Sequence, residues 1–299
     1  MQEKFEGVLP AEPKFLGATN NDDFNLMGLF FNPKRKKLPM FATNLAARLA
    51  EAGFPTVTLY EKDKDGPFFS RINSLLVLGG DGTVLRVAAY AANKGIPLIG
   101  VNCGTLGYLS EYESDTESID RLISALKRND FVCDDRTLIS VTVRGETYTA
   151  LNDIVVQRTS FRNDVHKVVK LKTYVGGMYL DTFVADGLIA ATPTGSTAYF
   201  LSAGGNILAP DVKAIALAPV CAHTLTSRPV ILSDNEEIEI VVGDGANPVV
   251  ICDGKQVAHL KRGEKILIRK HEKHLRFMRE PSWNFYSALQ KKLNNGENR

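Results

Sequence analysis

The stretch SLLVLGGDGTVLRVAAYAANK occupies residues 74–94 and joins two regular patterns through a glycine-rich turn. The apolar run at 74–78 predicts a buried strand, and the spacing over 83–94 predicts a helix that ends at Gly95. A turn of this kind lies at the carboxyl edge of an open parallel sheet, where ligands of such sheets bind. The stretch therefore predicts an α/β sheet with a ligand site around Asp81.

The segments before and after this stretch repeat the alternation of strand and helix. Short apolar runs predict strands at 26–31, 56–60 and 96–101, and helical spacing is present at 39–52 and 116–128. Parallel neighbours need a helical crossover, so this alternation predicts a Rossmann-like open parallel sheet. We expect an N-terminal α/β nucleotide-binding domain over 26–136, preceded by a flexible arm over 1–25.

The second half of the chain has an all-β pattern. Short β-type runs follow one another from about residue 137, and turn signals such as Gly176-Gly177 separate them. This pattern predicts a layered, β-sandwich-like domain over 137–270. Trp283, Phe285 and Tyr286 lie in the remaining segment, 271–299, which we expect to pack back on the N-terminal domain as a helix. The predicted fold class is thus α/β plus all-β.

Composition limits the classes of partner. The 299 residues include 36 lysines and arginines and 34 acidic residues, which gives a formal charge of +2. That balance does not favour a polybasic binder of nucleic acid or membrane, so neither is expected as a partner. The four cysteines are isolated, which favours a reducing compartment, and the first 15 residues contain no apolar run of signal-peptide length. We expect a cytoplasmic protein.

The turn at 79–83, Gly79-Gly80-Asp81-Gly82-Thr83, has the chemistry of a phosphate site with one unusual group. Glycine N–H groups and a helix N-terminus favour phosphate oxygens, whereas a carboxylate repels them. Asp81 therefore suits the task of accepting a proton from, or orienting, an attacking hydroxyl. Asp-Gly pairs are common in plain turns, and this chain has five, but the position between strand and helix favours a functional site. The P-loop, the dinucleotide-binding fingerprint and the protein-kinase signatures are absent.

Two further polar segments interrupt the apolar β pattern. Residues 186–199 read DGLIAATPTGSTAY, a hydroxyl-rich loop that could bind phosphate and ribose or could be a surface turn. Asn152-Asp153 lies within a β run and could mark a bend or offer polar groups to a ribose or a base. His223, Arg228 and the pair His271/His274 form no set of metal ligands with a third partner, so no protein-built metal site is predicted.

Together these motifs resemble the bacterial NAD kinase family over roughly residues 26–285. Five motifs occur in the same order as in that family: Gly-Gly-Asp-Gly-Thr at 79–83, Asn-x-Gly-x-Leu-Gly-Tyr-Leu at 102–109, Leu-Asn-Asp at 151–153, the segment 186–199, and His-Thr-Leu…Arg-Pro at 223–229. The first motif also occurs in phosphofructokinases and in diacylglycerol and sphingosine kinases, whereas Thr-Pro-Thr-Gly-Ser-Thr-Ala-Tyr is far more specific. The resemblance implies an α/β domain followed by a β domain, with the site between them. It also implies ATP-dependent phosphorylation of the adenosine 2′-hydroxyl of NAD⁺.

The resemblance also implies roles for individual residues. Asp81 would be the general base or orienting group. NAD would be bound by Asp81, Gly82, Arg86, Tyr108, Asn152, Asp153, Asp186, Thr197, Ala198, Tyr199, Ser202 and Gln256, and ATP phosphates by Gly79, Gly80, Gly82, Thr83, Thr194, Gly195 and Ser196. A divalent cation carried by ATP, expected to be Mg²⁺, would assist the transfer. The family also implies a homo-oligomer, a dimer or tetramer.

This chain departs from the family pattern at three positions. Val184 replaces a basic residue, Asp153 replaces a glutamate, and Lys255 separates Asp253-Gly254 from Gln256. None of these positions is Asp81, so the implied reaction class is unaffected.

Two other functions share parts of these motifs. A lipid kinase of the diacylglycerol type would use the same loop, but the chain shows no basic amphipathic helix for a membrane surface. The second function is that of a nucleotide sensor that binds NADP(H) without catalysis. An intact Asp81 disfavours it, because a protein that only binds phosphates would gain by losing this negative charge. The sequence leaves the donor open between ATP and polyphosphate, and the acceptor between NAD⁺ and NADH.

Overall fold

The computed structural model describes residues 26–63, 69–104, 107–159, 168–223 and 227–297. The N-terminal part contains β1 (Met27–Phe31), α1 (Leu38–Glu51), β2 (Thr56–Leu59), β3 (Ser74–Gly79), α2 (Asp81–Lys94), β4 (Leu98–Asn102), β5 (Tyr112–Glu113) and α3 (Thr116–Arg128). These bounds agree with the predicted strands and helices to within a few residues. The predicted arm, 1–25, lies outside the described residues.

The rest of the chain is mostly strands. In order they are β6 (Val132–Val143), β7 (Glu146–Ala150), β8 (Asp153–Arg158), β9 (Val169–Val175), β10 (Met178–Ala185), β11 (Gly187–Ala191), β12 (Ala214–Val220), β13 (Val230–Ser233), β14 (Ile238–Val242), β15 (Pro248–Cys252), β16 (Lys255–His259) and β17 (Lys265–Arg279). A 3₁₀ turn (Thr194–Thr197) and the short helix α4 (Tyr199–Ser202) follow β11, and α5 (Phe285–Glu297) ends the described chain. The last helix begins at Phe285, one of the predicted aromatic residues, whereas residues 271–279 of the segment predicted as helical continue β17.

The first four strands form the parallel part of an eleven-stranded sheet, in the order β2-β1-β3-β4. The chain leaves β1 for β2 on one side and returns to β3 on the other side of β1. This reversal of strand order opens a crevice at the carboxyl ends of β1 and β3, the usual ligand position in such sheets. Gly79 is the last residue of β3, so the glycine-rich turn lies at this crevice.

The large sheet continues from its parallel part into antiparallel strands through β17. This strand pairs in parallel with β4 at Phe277 and Leu98, and antiparallel with β6 and β14. The order across the sheet is β10-β9-β14-β17-β4-β3-β1-β2. The predicted fold class is confirmed as a mixed sheet with a parallel N-terminal part plus an antiparallel β-sheet domain. The predicted boundaries at 136 and 270 fall inside β6 and β17, and the division into domains stays a prediction.

The cores follow from this layering. A second sheet, β13-β12-β11-β8-β15-β16, packs its apolar face against the antiparallel part of the large sheet, and Val141, Val156, Leu188 and Ile240 lie in the core between them. On the parallel part, α2 covers one face while α1 and α3 cover the other. No helix among the described residues combines the length and the apolar character needed to cross a bilayer.

Candidate active site

Asp81 is the first residue of α2, and its carboxylate is fixed by backbone donors. The N–H of Tyr108 donates to Oδ2 at 2.9 Å and that of Leu109 donates to Oδ1 at 3.1 Å. A carboxylate at the first turn of a helix is also favoured by the helix dipole. The side chain remains 26% exposed, so the carboxylate is both oriented and accessible.

Gly107 permits this arrangement because it lacks a side chain. A Cβ at this position would overlap the carboxylate, with Asp81 Cγ only 2.6 Å away. Upstream, Asn102 ends β4 and organises the turn: its amide donates to Glu113 Oε2 at 2.8 Å and its Oδ1 accepts from Gly104 N at 3.2 Å. The motif at 102–109 thus brings two backbone donors to Asp81.

A cavity of about 410 Å³ lies beside α2 and the second sheet. Four predicted NAD-binding residues line it, namely Asn152, Asp153, Ala198 and Tyr199. Leu85 also lines it, one helical turn after Asp81 and on the same helix face. The structure therefore brings these four residues together on the side of α2 that carries Asp81.

Asp253 also lines the cavity, although it was not among the predicted site residues. It takes φ +47 in the hairpin between β15 and β16, and its carboxylate accepts the N–H groups of Leu151, Asn152 and Asp153 at 2.7, 2.8 and 3.2 Å. These bonds hold the 151–153 bend against the cavity. Asp253-Gly254 signals a hairpin turn, but nothing local to it indicates a partner about 100 residues away.

The two neighbouring carboxyls, Asp153 and Asp253, are both buried. Burial, with repulsion from Asp253 second, raises the pKa of Asp153 to about 7. Burial also raises the pKa of Asp253, although its three backbone donors oppose that shift. Asp153 is therefore expected to carry a proton below about pH 7.

The raised pKa of Asp153 makes stability depend on pH. Between about pH 4 and 7 the folded protein holds a proton at Asp153 that the unfolded chain has lost, so the free energy of unfolding falls as pH rises. In Asp153→Asn this fall should be shallower by up to about 1.4 kcal/mol per pH unit. Urea unfolding at several pH values measures it. An Asp181→Asn variant on exposed β10 should keep the wild-type slope, and an unchanged slope in Asp153→Asn would contradict the assignment.

The loop 192–197 is held mainly by its own hydroxyls. Thr192 Oγ1 donates to Leu151 O at 2.5 Å, and the fully buried Ser196 Oγ donates to Pro193 O at 2.6 Å and accepts from Leu208 N at 2.9 Å. At Gly195 a Cβ would lie 2.7 Å from Asn152 Cα. The loop therefore packs directly against the Asn152 bend.

The remaining predicted site residues occupy different positions. Of the predicted phosphate ligands, Thr194, Gly195 and Ser196 are buried within the loop, whereas Gly79, Gly80, Gly82 and Thr83 lie at the start of α2. Thr197 Oγ1 donates to Thr194 O at 3.3 Å. Eight predicted NAD-binding residues do not line the 410 Å³ cavity: Asp81, Gly82, Arg86, Tyr108, Asp186, Thr197, Ser202 and Gln256. Arg86 pairs with Glu61 at 3.5 Å, Asp186 with Arg158 at 2.7 Å, Gln256 contacts His259 at 2.8 Å, and Ser202 is exposed.

A buried cluster of charges ties the site loops together. Arg136 and Arg279 both donate to Asp134, at 2.6 and 3.3 Å, and all three are largely buried. Arg136 also donates to Thr194 Oγ1 at 3.3 Å, and Arg279 donates to Leu109 O at 3.1 Å. The cluster therefore links the 192–197 loop to the segment whose N–H groups hold Asp81.

Trp283 extends this cluster to the last helix. The Arg279 guanidinium lies 4.3 Å from the centroid of its indole ring, and that of Arg136 lies 5.7 Å away. Burial and repulsion from Arg136 lower the pKa of Arg279 to about 10, and stacking on the ring contributes attraction. The start of α5 is thereby fixed beside the site.

A second and larger cavity, about 760 Å³, lies between the 107–121 segment and the start of α5. Its lining is strongly acidic, with Glu111, Glu113, Asp115, Glu117 and Glu280 beside Arg121 and Lys291. Burial raises the pKa of Glu111 to about 7, against the opposing effect of Arg279. Gly107, which lies against the Asp81 carboxylate, borders this cavity, and Leu85, one helical turn after Asp81, borders the 410 Å³ cavity, but Asp81 itself lines neither.

Two family models cover most of the chain. Residues 68–131 match the ATP-NAD kinase N-terminal domain and residues 151–280 match the ATP-NAD kinase C-terminal domain. The NAD kinase of Carboxydothermus hydrogenoformans is 38% identical over 229 residues, which are 75% of this chain and 80% of the relative.

Two solved structures share the fold. A crystal structure of yeast NADH kinase complexed with NADH matches with a TM-score of 0.79 and 22% identity, over 91% of this chain and 88% of the other. The NAD kinase of Archaeoglobus fulgidus in complex with ATP matches with a TM-score of 0.67 and 22% identity, over 86% and 94%. Motifs, fold and sequence similarity agree, and the chain belongs to the NAD kinase family.

Proposed function

We propose that Asp81 orients and deprotonates the adenosine 2′-hydroxyl of NAD⁺ in the ATP-dependent phosphorylation that defines this family. The products are NADP⁺ and ADP. The observation that carries the proposal is the fixed, exposed Asp81 carboxylate at the start of α2, since two backbone N–H groups leave lone pairs free for a hydroxyl proton. A positioned base of this kind contributes about 10²–10⁴-fold to a proton-transfer step.

The 410 Å³ cavity supports the placement of the acceptor. Asn152 offers amide and carbonyl groups, and the aromatic ring of Tyr199 and the small Ala198 leave room for a flat base. Asp153 would accept a ribose hydroxyl when ionised and donate to one when protonated. We assign the adenosine end of NAD⁺ to this cavity, with its ribose directed toward Asp81.

The donor phosphates suit the start of α2. The N–H groups after Gly79 and Gly80 begin the helix without helical acceptors, and the helix dipole favours negative charge there. Thr194 and Ser196, by contrast, have hydroxyls engaged within the protein, so we propose that they shape the loop. The glycines at 79, 80 and 82 are the proposed phosphate contacts.

A divalent cation, expected to be Mg²⁺, fits this site as part of the nucleotide. Within the described ranges no three His, Cys, Asp or Glu side chains lie close enough to hold a metal ion by themselves. Mg²⁺ is commonly held by one or two carboxylates together with substrate phosphates, and Asp81 is the carboxylate at this position. When bound, the cation would neutralise charge on the phosphates.

Incubation of the purified protein with NAD⁺, ATP and Mg²⁺, followed by detection of NADP⁺ with an NADP-specific dehydrogenase, tests the proposed function. Parallel reactions replace ATP by polyphosphate and NAD⁺ by NADH. Product with ATP supports the proposal, and product only with polyphosphate would change the donor. A folded protein that binds NAD(H) and gives no product with either donor would overturn the kinase assignment in favour of a sensor.

Gly107→Ala is expected to lower kcat by about 10²-fold, because the added methyl group displaces the Asp81 carboxylate from its two backbone donors. The same assay measures the loss. Gly104→Ala is the matched control, since its Cβ would make only an ordinary 3.6 Å contact with Arg35 Nη1. Wild-type turnover in Gly107→Ala would show that the position of the carboxylate is unimportant.

A further inference from the structure

The C-terminal helix brings a cation to Asp81. Lys292, on the second turn of α5, places its Nζ 3.9 Å from Asp81 Oδ2 and 4.0 Å from the centroid of the Tyr108 ring. At 3.9 Å the ammonium is attracted to the carboxylate but is beyond hydrogen-bond distance. The N–H groups of the ammonium are therefore close to Asp81 but are not hydrogen-bonded to it.

The position of α5 is determined by contacts far from Lys292. Trp283 lies against the buried Arg279 and Arg136, and Asn284 Oδ1 caps the helix by accepting from Ser287 N at 2.8 Å. The helix thus starts on the buried charge cluster and runs toward the glycine-rich turn. Lys292 reaches Asp81 because the start of the helix is fixed, and the ring of Tyr108 then holds the ammonium by a cation–π contact.

The geometry of phosphoryl transfer gives this ammonium a role. If Asp81 accepts the proton of the acceptor hydroxyl, the phosphorus under attack lies on the other side of that hydroxyl oxygen, within a few ångströms of the carboxylate. Negative charge on the transferred group must be balanced there. An ammonium 3.9 Å from Oδ2 is within reach of that position, and lysine binds phosphate as a mobile point charge.

The charges of the second cavity support the same placement. Glu111, Glu113, Asp115 and Glu117 outnumber the cations Arg121 and Lys291 in the lining of the 760 Å³ cavity, so its net charge would repel a polyphosphate chain. The start of α2 and the Lys292 ammonium are two described groups next to Asp81 that attract phosphate. A donor polyphosphate bound at the start of α2 is therefore also close to the Lys292 ammonium.

We propose that Lys292 is a further catalytic residue of this chain: its ammonium leaves the Tyr108 ring and binds the terminal phosphate of the donor during transfer to the acceptor hydroxyl. This inference rests on the proposed function for the identity of the acceptor. The contact with phosphate itself depends only on a donor that carries a polyphosphate chain.

Lys292→Met tests the proposal, since methionine keeps much of the side-chain length and removes the charge. We expect kcat to fall by about 10²-fold or more, which is the cost of removing one donor to a developing negative charge. The KM for NAD⁺ should change little. Lys292→Arg should recover part of kcat, because a guanidinium also binds phosphate.

Lys94→Met is the matched control. Lys94 also lies over a tyrosine ring, 6.0 Å from the centroid of Tyr90, but at the other end of α2, roughly 20 Å from Asp81. Lys94→Met removes the same charge and the same kind of cation–π contact as Lys292→Met, and it should keep wild-type kcat. Thermal unfolding of all three variants separates lost catalysis from lost folding.

Calorimetric binding of ATP and of NAD⁺ separates this inference from the proposed function. Lys292→Met should bind ATP about tenfold more weakly than wild type and Lys94→Met, with NAD⁺ affinity unchanged. If the wild type makes no NADP⁺ but Lys292→Met still loses ATP affinity, the proposed function fails and the phosphate contact stands. Unchanged ATP affinity together with unchanged kcat would overturn the lysine assignment, and increased turnover would show instead that Lys292 blocks the site.

Discussion

Asp81→Asn is expected to lower kcat for NADP⁺ formation by about 10³-fold or more while NAD⁺ still binds. The amide cannot take the hydroxyl proton, so the general-base contribution is lost. The same substitution affects the local structure, because one amide oxygen must replace two carboxylate oxygens that accept from Tyr108 N and Leu109 N. We therefore expect a loss of about 1–3 kcal/mol of stability as well, from the donor left without an acceptor.

Three measurements separate these effects. Turnover is followed with the NADP-specific dehydrogenase, NAD⁺ affinity by calorimetry, and folding by urea unfolding. NAD⁺ affinity should change by less than tenfold, so that a loss of turnover in this variant cannot come from a loss of binding. Asp120→Asn on the surface of α3 removes the same charge from a side chain that pairs with Arg48, and should leave kcat unaltered. Substantial turnover in Asp81→Asn would assign proton removal to another group.

Asp134→Asn is expected to cost about 3–5 kcal/mol of stability. Arg136 and Arg279 are 3% and 1% exposed, and Asp134 is the carboxylate that both of them contact. Burial alone would raise the pKa of Asp134, but the two guanidinium groups outweigh burial and lower it. Without that charge two buried cations repel each other, and the links to Thr194 and Leu109 weaken.

The next residue in the sequence supplies the control. Asp135 pairs with Arg276 at 2.8 Å, but these side chains are 42% and 39% exposed. Asp135→Asn should therefore cost less than about 1 kcal/mol, as exposed pairs do. Urea unfolding of the two variants compares a buried and an exposed ion pair in adjacent positions of one strand. Equal losses would show that the buried cluster adds nothing to stability.

Much of the local structure could be predicted from periodicity. The strand at 74–78, the helix ending at Gly95 and the helix over 116–128 were all recognisable from residue spacing and end signals, and the structure confirms them. These features depend on residues that are close in sequence. The glycine-rich turn was located for the same reason, since its neighbours define a strand and a helix.

Contacts between distant segments could not be predicted in this way. Asp253 holds Asn152 from about 100 residues away, and Arg279 reaches Leu109 from 170. Neither contact changes the spacing of residues along the nearby sequence. An Asp-Gly pair, for example, is the same in sequence whether or not its carboxylate has a partner. The insertion of β17 between β4 and β14 escaped prediction for a related reason, since an alternating pattern shows that a strand exists but not which strands lie beside it.

The central position of β17 also bears on how the chain folds during its synthesis. Residues 265–279 leave the ribosome after all the other described strands, yet they fill the gap between β4 and β14. Until they emerge, β14 lacks a neighbour on one side and β4 has only the two-residue β5 on the side away from β3. Both strands then expose unpaired backbone groups at a sheet edge, which favours wrong pairing. A nascent chain therefore completes its large sheet only after all the other described strands have been made, and the parallel part acquires its final partner at the same moment as the antiparallel part.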